Sequence, residues 1–105
     1  PSDDEAHYEV GDLVIDISRH QVLLDNQPIH LTPVEFKLLA ALTKGHGKVI
    51  THRQLLREVW GPLHEEDSHY LRIYMRQLRG KLEADPAQPR FLLTEPGVGY
   101  HLASE

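Results

Sequence analysis

The sequence contains no cysteine, which excludes disulfides and every cysteine-based zinc site. A reducing cytosol is compatible with that composition. No apolar run approaches the roughly 18 residues that a membrane span needs, and no signal peptide is recognisable. The chain therefore reads as cytoplasmic, with no membrane contact. Position 1 is not methionine. Pro1-Ser2-Asp3-Asp4-Glu5 reads instead as part of an acidic interdomain linker over 1–7, with the folded unit at 8–105 and a larger protein expected upstream. A nucleophile elbow and a phosphate-binding glycine loop are also missing, because Gly97-x-Gly99 falls inside a hairpin pattern. Eight histidines invite a metal-enzyme reading, and His64 and His69 bracket Glu65, Glu66 and Asp67. That spacing is not the HEXXH pattern that puts two ligands on one helix face. No catalytic residue, metal or cofactor is expected.

Positive charge is scarce overall. The net charge is −5, which taken alone argues against a nucleic-acid partner. Its distribution reverses the argument. Ser68 to Leu82 carries four cations, Arg72, Arg76, Arg79 and Lys81, and no acid, so the other 90 residues hold a net −9. Screening confines charge effects to about 8–10 Å at ordinary salt, so this local excess governs contact with a polyanion.

What is present is a chain of 105 residues with 40% apolar content, enough for one α+β domain with its own core. Leu13, Ile15 and Ile17 alternate with Val14, Asp16 and Ser18, a strand period. Gln21 to Leu24 reads as a second strand, Asp25-Asn26-Gln27 as a turn, and Ile29 and Leu31 as the start of a third. The result is an N-terminal antiparallel meander. A first helix starts at Thr32, with Pro33 at its first position and Glu35 completing a capping box. Its buried stripe is Phe36, Leu38, Leu39 and Leu42, and Gly45 and Gly47 end it. A second helix starts at Thr51 with Gln54 as box partner, buries Leu55, Leu56, Val59 and Trp60, and stops at Gly61-Pro62. A third runs from about Ser68 to Glu83. Phe91–Thr94 and Tyr100–Leu102 then flank Pro96-Gly97-Val98-Gly99, a hairpin whose Pro-Gly favours a type II turn.

The third helix has two sides. With Leu71 at zero and about 100° per residue, Met75, Leu78 and Leu82 fall within about 40° of it, and His69, Ile73, Arg76 and Gly80 between about 140° and 200°. Tyr70 and Gln77 flank that outer face on one side, Arg72 and Arg79 on the other. An ordinary solvated face mixes both signs of charge; this one has cations only, which repel one another until a polyanion arrives. An exposed Ile73 calls for a partner such as a thymine methyl. Gly80 costs roughly 1 kcal/mol against Ala; it either permits close backbone approach to phosphate or is simply tolerated. A helix, a short turn, a basic helix and a terminal hairpin form a winged helix-turn-helix. Such a helix fits the B-DNA major groove but not the narrow one of A-form RNA, so double-stranded DNA is the expected partner. A winged-helix module that binds protein instead is the rival reading, and it predicts binding insensitive to salt.

Leu-Thr-Pro-x-Glu-Phe at 31–36, Gly-Lys-Val-Ile-Thr at 47–51, Arg53 with Leu55-Leu56 and Val59-Trp60, Leu-Arg-x-Lys-Leu at 78–82 and Gly-Val-Gly-Tyr at 97–100 together resemble the OmpR/PhoB-type response-regulator effector domain over about residues 8 to 103. Ser68-His69-Tyr70-Leu71-Arg72-Ile73-Tyr74-Met75 and Asp85-Pro86-Ala87-x-Pro89-Arg90 resemble the branch that regulates a high-affinity potassium-transport operon. The resemblance implies a two-component regulator whose receiver domain, absent from this chain, is phosphorylated by a sensor kinase. The full-length phosphorylated protein would dimerise on paired half-sites, and the isolated domain is expected to be monomeric. It implies that Arg72, Arg76 and Gln77 lie in or over the major groove and that His69, Tyr70 and Ile73 approach bases. Arg79, Arg53, Trp60 and Lys81 would meet the DNA backbone, although Arg53 reads equally as solvated and Trp60 as core. Pro62, Leu63, His64, Glu65, Glu66 and Asp67 match a loop that touches RNA polymerase in relatives, or are an ordinary acidic loop. The sequence departs from the family at the wing, where Pro96 preceded by Glu95 stands in place of a minor-groove arginine and His101 in place of another. A weak wing is expected, with Thr94 and Tyr100 touching backbone at most.

Overall fold

A computed structural model describes residues 6–64 and 68–104. The linker reading at residues 1–5, and Glu65, Glu66 and Asp67 of the proposed polymerase loop, lie outside the described residues. The chain opens with a four-stranded antiparallel sheet in the order β1 (His7–Val10), β2 (Leu13–Asp16), β3 (Gln21–Leu24), β4 (Gln27–Pro28). Two-residue periodicity sends Tyr8, Val10, Leu13, Ile15 and Val22 into the core. The meander expected from Leu13 onward thus has one more strand before it: His7-Tyr8-Glu9-Val10 already alternates and pairs with β2, His7 opposite Asp16. The last strand ends at Pro28 instead of running on through Leu31. Asp25 and Asn26 both take left-handed backbone angles, so the turn is two residues long and Gln27 returns to pair with Leu24.

Helix α1 (Pro33–Lys44) begins as its caps require. Thr32 Oγ1 accepts from Glu35 N, and the Glu35 carboxylate accepts from Thr32 N at 2.9 Å. Thr51, the last residue of β5 (Ile50–Thr51), caps α2 (His52–Trp60) by accepting from Gln54 N. A single 3-10 turn at Pro62–His64 leads toward α3 (Ser68–Leu82). The wing is β6 (Leu92–Glu95) and β7 (Gly99–Leu102). Gly97 has φ 75° and Val98 N donates to Glu95 O at 3.0 Å, which is the type II turn expected of Pro-Gly. The wing strands and β5 form a second sheet, ordered β5-β7-β6. Backbone approach is closest at Gly99, where a Cβ would lie 1.9 Å from the Ile50 carbonyl oxygen.

Leu38, Leu39 and Leu42 of α1, Leu55 and Leu56 of α2, and Leu71, Met75, Leu78 and Leu82 of α3 share one core with both sheets. Tyr8 O–H donates to Ala103 O at 2.6 Å, tying β1 to the residue after β7. Burial raises the Tyr8 phenol above its ordinary pKa. Among the described residues, no buried side-chain nitrogen or oxygen lacks a partner. No helix among them is long and apolar enough to cross a membrane.

Candidate nucleic-acid interface

Leu71, Met75, Leu78 and Leu82 of α3 are all buried at 0–1% exposure, and this fixes which way the rest of the helix points. His69, Tyr70, Arg72, Ile73, Arg76, Gln77 and Gly80 are exposed. Tyr70 and Ile73 keep 47% and 40% of their surface in solvent, much for large apolar side chains. The outer arc expected from the sequence is thus open to a ligand. The Cβ that Gly80 lacks would meet nothing within 4 Å, so no contact among the described residues requires glycine there.

Two of the four cations behave differently. Arg79 and Lys81 lie about 80° to either side of Leu71 at 100° per residue, close enough to the core stripe to fold back on the protein. Lys81 Nζ donates to Glu35 Oε1 at 2.5 Å and to His30 O at 3.3 Å. Glu35 is 2% exposed. Burial pushes its carboxyl up, but the Lys81 hydrogen bond, the Thr32 N–H and the Lys81 charge together hold it below its ordinary value. The Lys81 charge, expected to meet the DNA backbone, is matched in the free domain by a buried acid on α1.

Arg79 turns the opposite way, toward the wing. Its Nε and Nη2 donate to Leu92 O at 3.1 and 2.9 Å, and Nη2 donates to Thr94 Oγ1 at 2.7 Å. Its guanidinium stands 5.6 Å from the centre of the Tyr100 ring. Most of the Arg79 donor fork is thus engaged inside the molecule, while its side chain also lines the surface beside Arg72 and Arg76. The Tyr100 ring, at 7% exposure, packs in the core, edge-on to His52 at 5.3 Å. Thr94 is exposed, and its oxygen serves Arg79. One turn beyond Arg79, buried Glu83 accepts from Arg90 N, Phe91 N and Leu92 N, the last at 2.8 Å. Sequence reasoning misses this acid. The available signal is its place just past α3, before the Pro-rich loop that leads into the wing.

Trp60 is half-buried, with its ring 5.4 Å from Tyr74 and 6.4 Å from Tyr70. It braces α2 against the first turns of α3. Arg53 lines a surface groove along α2 with Thr51, Gln54, Arg57, Glu58 and Pro62. On the other flank a groove is lined by Arg72, Arg76, Arg79 and Tyr100 together with Asp85, Pro86 and Ala87. Pro62, Leu63 and His64 are exposed, Leu63 at 95%. Among the described residues no group of three or more His, Asp or Glu is arranged to hold a metal ion.

Known proteins share this arrangement. Residues 26–102 match the family described as transcriptional regulatory protein, C terminal. The KDP operon transcriptional regulatory protein KdpE of Escherichia coli K12 is 54% identical over 90 residues, covering 86% of this chain and 40% of that protein. The chain thus spans about 40% of the length of that curated relative. Among solved structures, the response regulator DrrB of Thermotoga maritima, described as an OmpR/PhoB homolog, superposes with a TM-score of 0.80 at 35% identity, over 93% of this chain and 44% of that one. The DNA binding domain of CpxR from E. coli gives 0.77 at 31% identity, over 93% and 96%. The folded unit is therefore a winged helix-turn-helix, and the chain belongs to the family of transcriptional regulatory protein C-terminal domains, as an OmpR/PhoB-type DNA-binding domain that resembles KdpE.

Proposed function

We propose that this domain binds double-stranded DNA in a sequence-dependent manner as the output half of a two-component response regulator, and that it controls potassium-transport genes. The observation that carries the reading is the outer arc of α3, where Arg72 and Arg76 stand exposed around Ile73 with a leucine stripe behind them. A helix of about 10–12 Å enters a B-form major groove with that arc toward the bases. Arg76 and Gln77 carry donors suited to guanine and adenine edges, and Arg72, His69 and Tyr70 border them. Arg53 and Thr94 would serve phosphates at the two sides, and Trp60 one near the helix start.

The potassium-transport target rests on the likeness to KdpE. The regulatory partners belong to the longer protein: a sensor kinase acting on a receiver domain, dimerisation on paired half-sites, RNA polymerase meeting the 62–67 loop, and a place in the cytoplasm. Selection of duplexes from a random pool by the 105-residue chain, at two salt concentrations, tests the core of the proposal. A recovered consensus whose affinity falls with salt at about −0.9 log units per log unit for each phosphate neutralised supports it. Recovery of no consensus, with weak binding indifferent to salt, refutes it.

A further inference from the structure

The contacts at Arg79 support a role of their own, one that rests on the DNA-binding proposal. We propose that Arg79 is a positioning residue that locks the wing to the recognition helix, so that α3 and the β6–β7 hairpin meet a duplex as one rigid body. A hairpin of two four-residue strands has little stability of its own. Its third partner, β5, is two residues long and pairs only with β7. Strand β6 is consequently an edge strand, with nothing of the sheet on its outer side to fix its angle to α3.

Two side chains one turn apart on the α3 side supply what the sheet does not. Arg79 takes the Leu92 carbonyl and the Thr94 hydroxyl, while the Glu83 carboxylate takes the Leu92, Phe91 and Arg90 amides. Leu92 is thus held on its outer edge by a donor on α3 and an acceptor just past its end. The guanidinium fork is planar, so gripping two oxygens on alternate residues of β6 fixes strand direction as well as distance.

The composition of the tip gives this fixation a consequence for binding. Glu95, Pro96, Gly97 and Val98 offer no cation. A wing tipped by a long lysine or arginine can correct a small misplacement by choosing another rotamer. Main-chain amides and a threonine hydroxyl have no such reach, so their contribution depends on where the strand is held.

The test uses a duplex from the selected consensus and compares the parent chain with Arg79→Met, Arg79→Lys and Thr94→Val. Three readings are taken: hydroxyl-radical footprints, the salt slope of affinity, and fast-timescale relaxation of amides 94–98 in the DNA-free domain. The expected result for Arg79→Met is a loss of protection, at least about five-fold, confined to the flank under the wing. Protection beneath α3 and the salt slope stay as in the parent, and the wing amides become more mobile. Arg79→Lys does not restore the wing footprint, because an ammonium lacks the fork. Thr94→Val shifts the same readings in the same direction by less.

A salt slope flatter by about 0.9 with the wing footprint intact would make Arg79 a phosphate contact and overturn the proposal. Equal weakening of both footprints would reduce Arg79 to a general stabilising residue and overturn it as well. Should the parent chain select no duplex at all, the DNA-binding reading falls, and unchanged wing relaxation in Arg79→Met then rejects the clamp independently.

Discussion

Replacing Lys81 with methionine separates two roles that a basic residue on α3 could play. In the structure Lys81 neutralises Glu35, whose side chain is 2% exposed, while Lys81 itself is 35% exposed. Removing one partner of a fully buried pair costs about 3–5 kcal/mol, because the other charge is left uncompensated. The ammonium here is partly wet, so solvent can take over some of its work, and the Thr32 N–H still serves the carboxylate. These two factors bring the expected loss to about 2 kcal/mol at pH 7. For a domain of this size that lowers Tm by about 8–15 °C.

Glu35 sets the sign of the pH dependence. In the parent its carboxyl is held below its ordinary 4.5, so its stabilising contribution is complete above that value and fades as pH falls through the lower, folded-state one. In Lys81→Met, burial dominates and moves the carboxyl upward, so the folded state takes up a proton first and the variant's deficit shrinks as pH falls through the raised value. Thermal melts followed by far-UV circular dichroism at pH 7 and pH 4 read both effects. The parent and variant curves should lie well apart at pH 7 and approach each other at pH 4. A variant as stable as the parent at pH 7, whose DNA-binding salt slope is flatter by about 0.9, would place Lys81 on a phosphate and refute this reasoning.

Other outcomes follow from the same contacts. Arg76→Ala should cost roughly 1–3 kcal/mol of binding on the selected consensus and relax its preference at one position; equal affinities in a titration would remove Arg76 from base readout. Gly80→Ala has open space for its methyl and should stabilise the free domain by about 1 kcal/mol in urea melts. If the α3 backbone comes close to the duplex there, affinity drops in the same variant; a gain in both stability and affinity argues that Gly80 is merely tolerated. Glu83→Ala strips the acceptor from three backbone amides and should lower stability by about 2–4 kcal/mol, with a shift under about 1 kcal/mol in denaturant titration counting against the assigned role. Tyr8→Phe removes the bond to Ala103 O and should cost about 1 kcal/mol, measured by the same titration.

The helices are legible in the sequence because their ends are written locally. Thr32 with Glu35, and Thr51 before Gln54, mark starts within four residues, and the observed bonds lie there. The outer arc of α3 is legible for a similar reason, since a leucine stripe with helical spacing fixes the opposite face. Strand β1 is harder to see although Tyr8 and Val10 alternate with His7 and Glu9; four residues are a short period, and the acids just before them favour a linker. The partners of Arg79 and Lys81 are not legible in the same way. Periodicity gives the direction of a side chain around its helix, but Glu35 lies 46 residues from Lys81 and Leu92 lies 13 from Arg79. Only the folded chain shows that these cations at the margin of the stripe meet oxygens of their own protein.

The small second sheet has an effect on how the two helices are presented. Strand β5 runs straight into the first residue of α2, and β6 is gripped from the far end of α3. Both helices are thereby tied to one small sheet, which supports their mutual angle alongside the packing of Trp60 on Tyr70 and Tyr74.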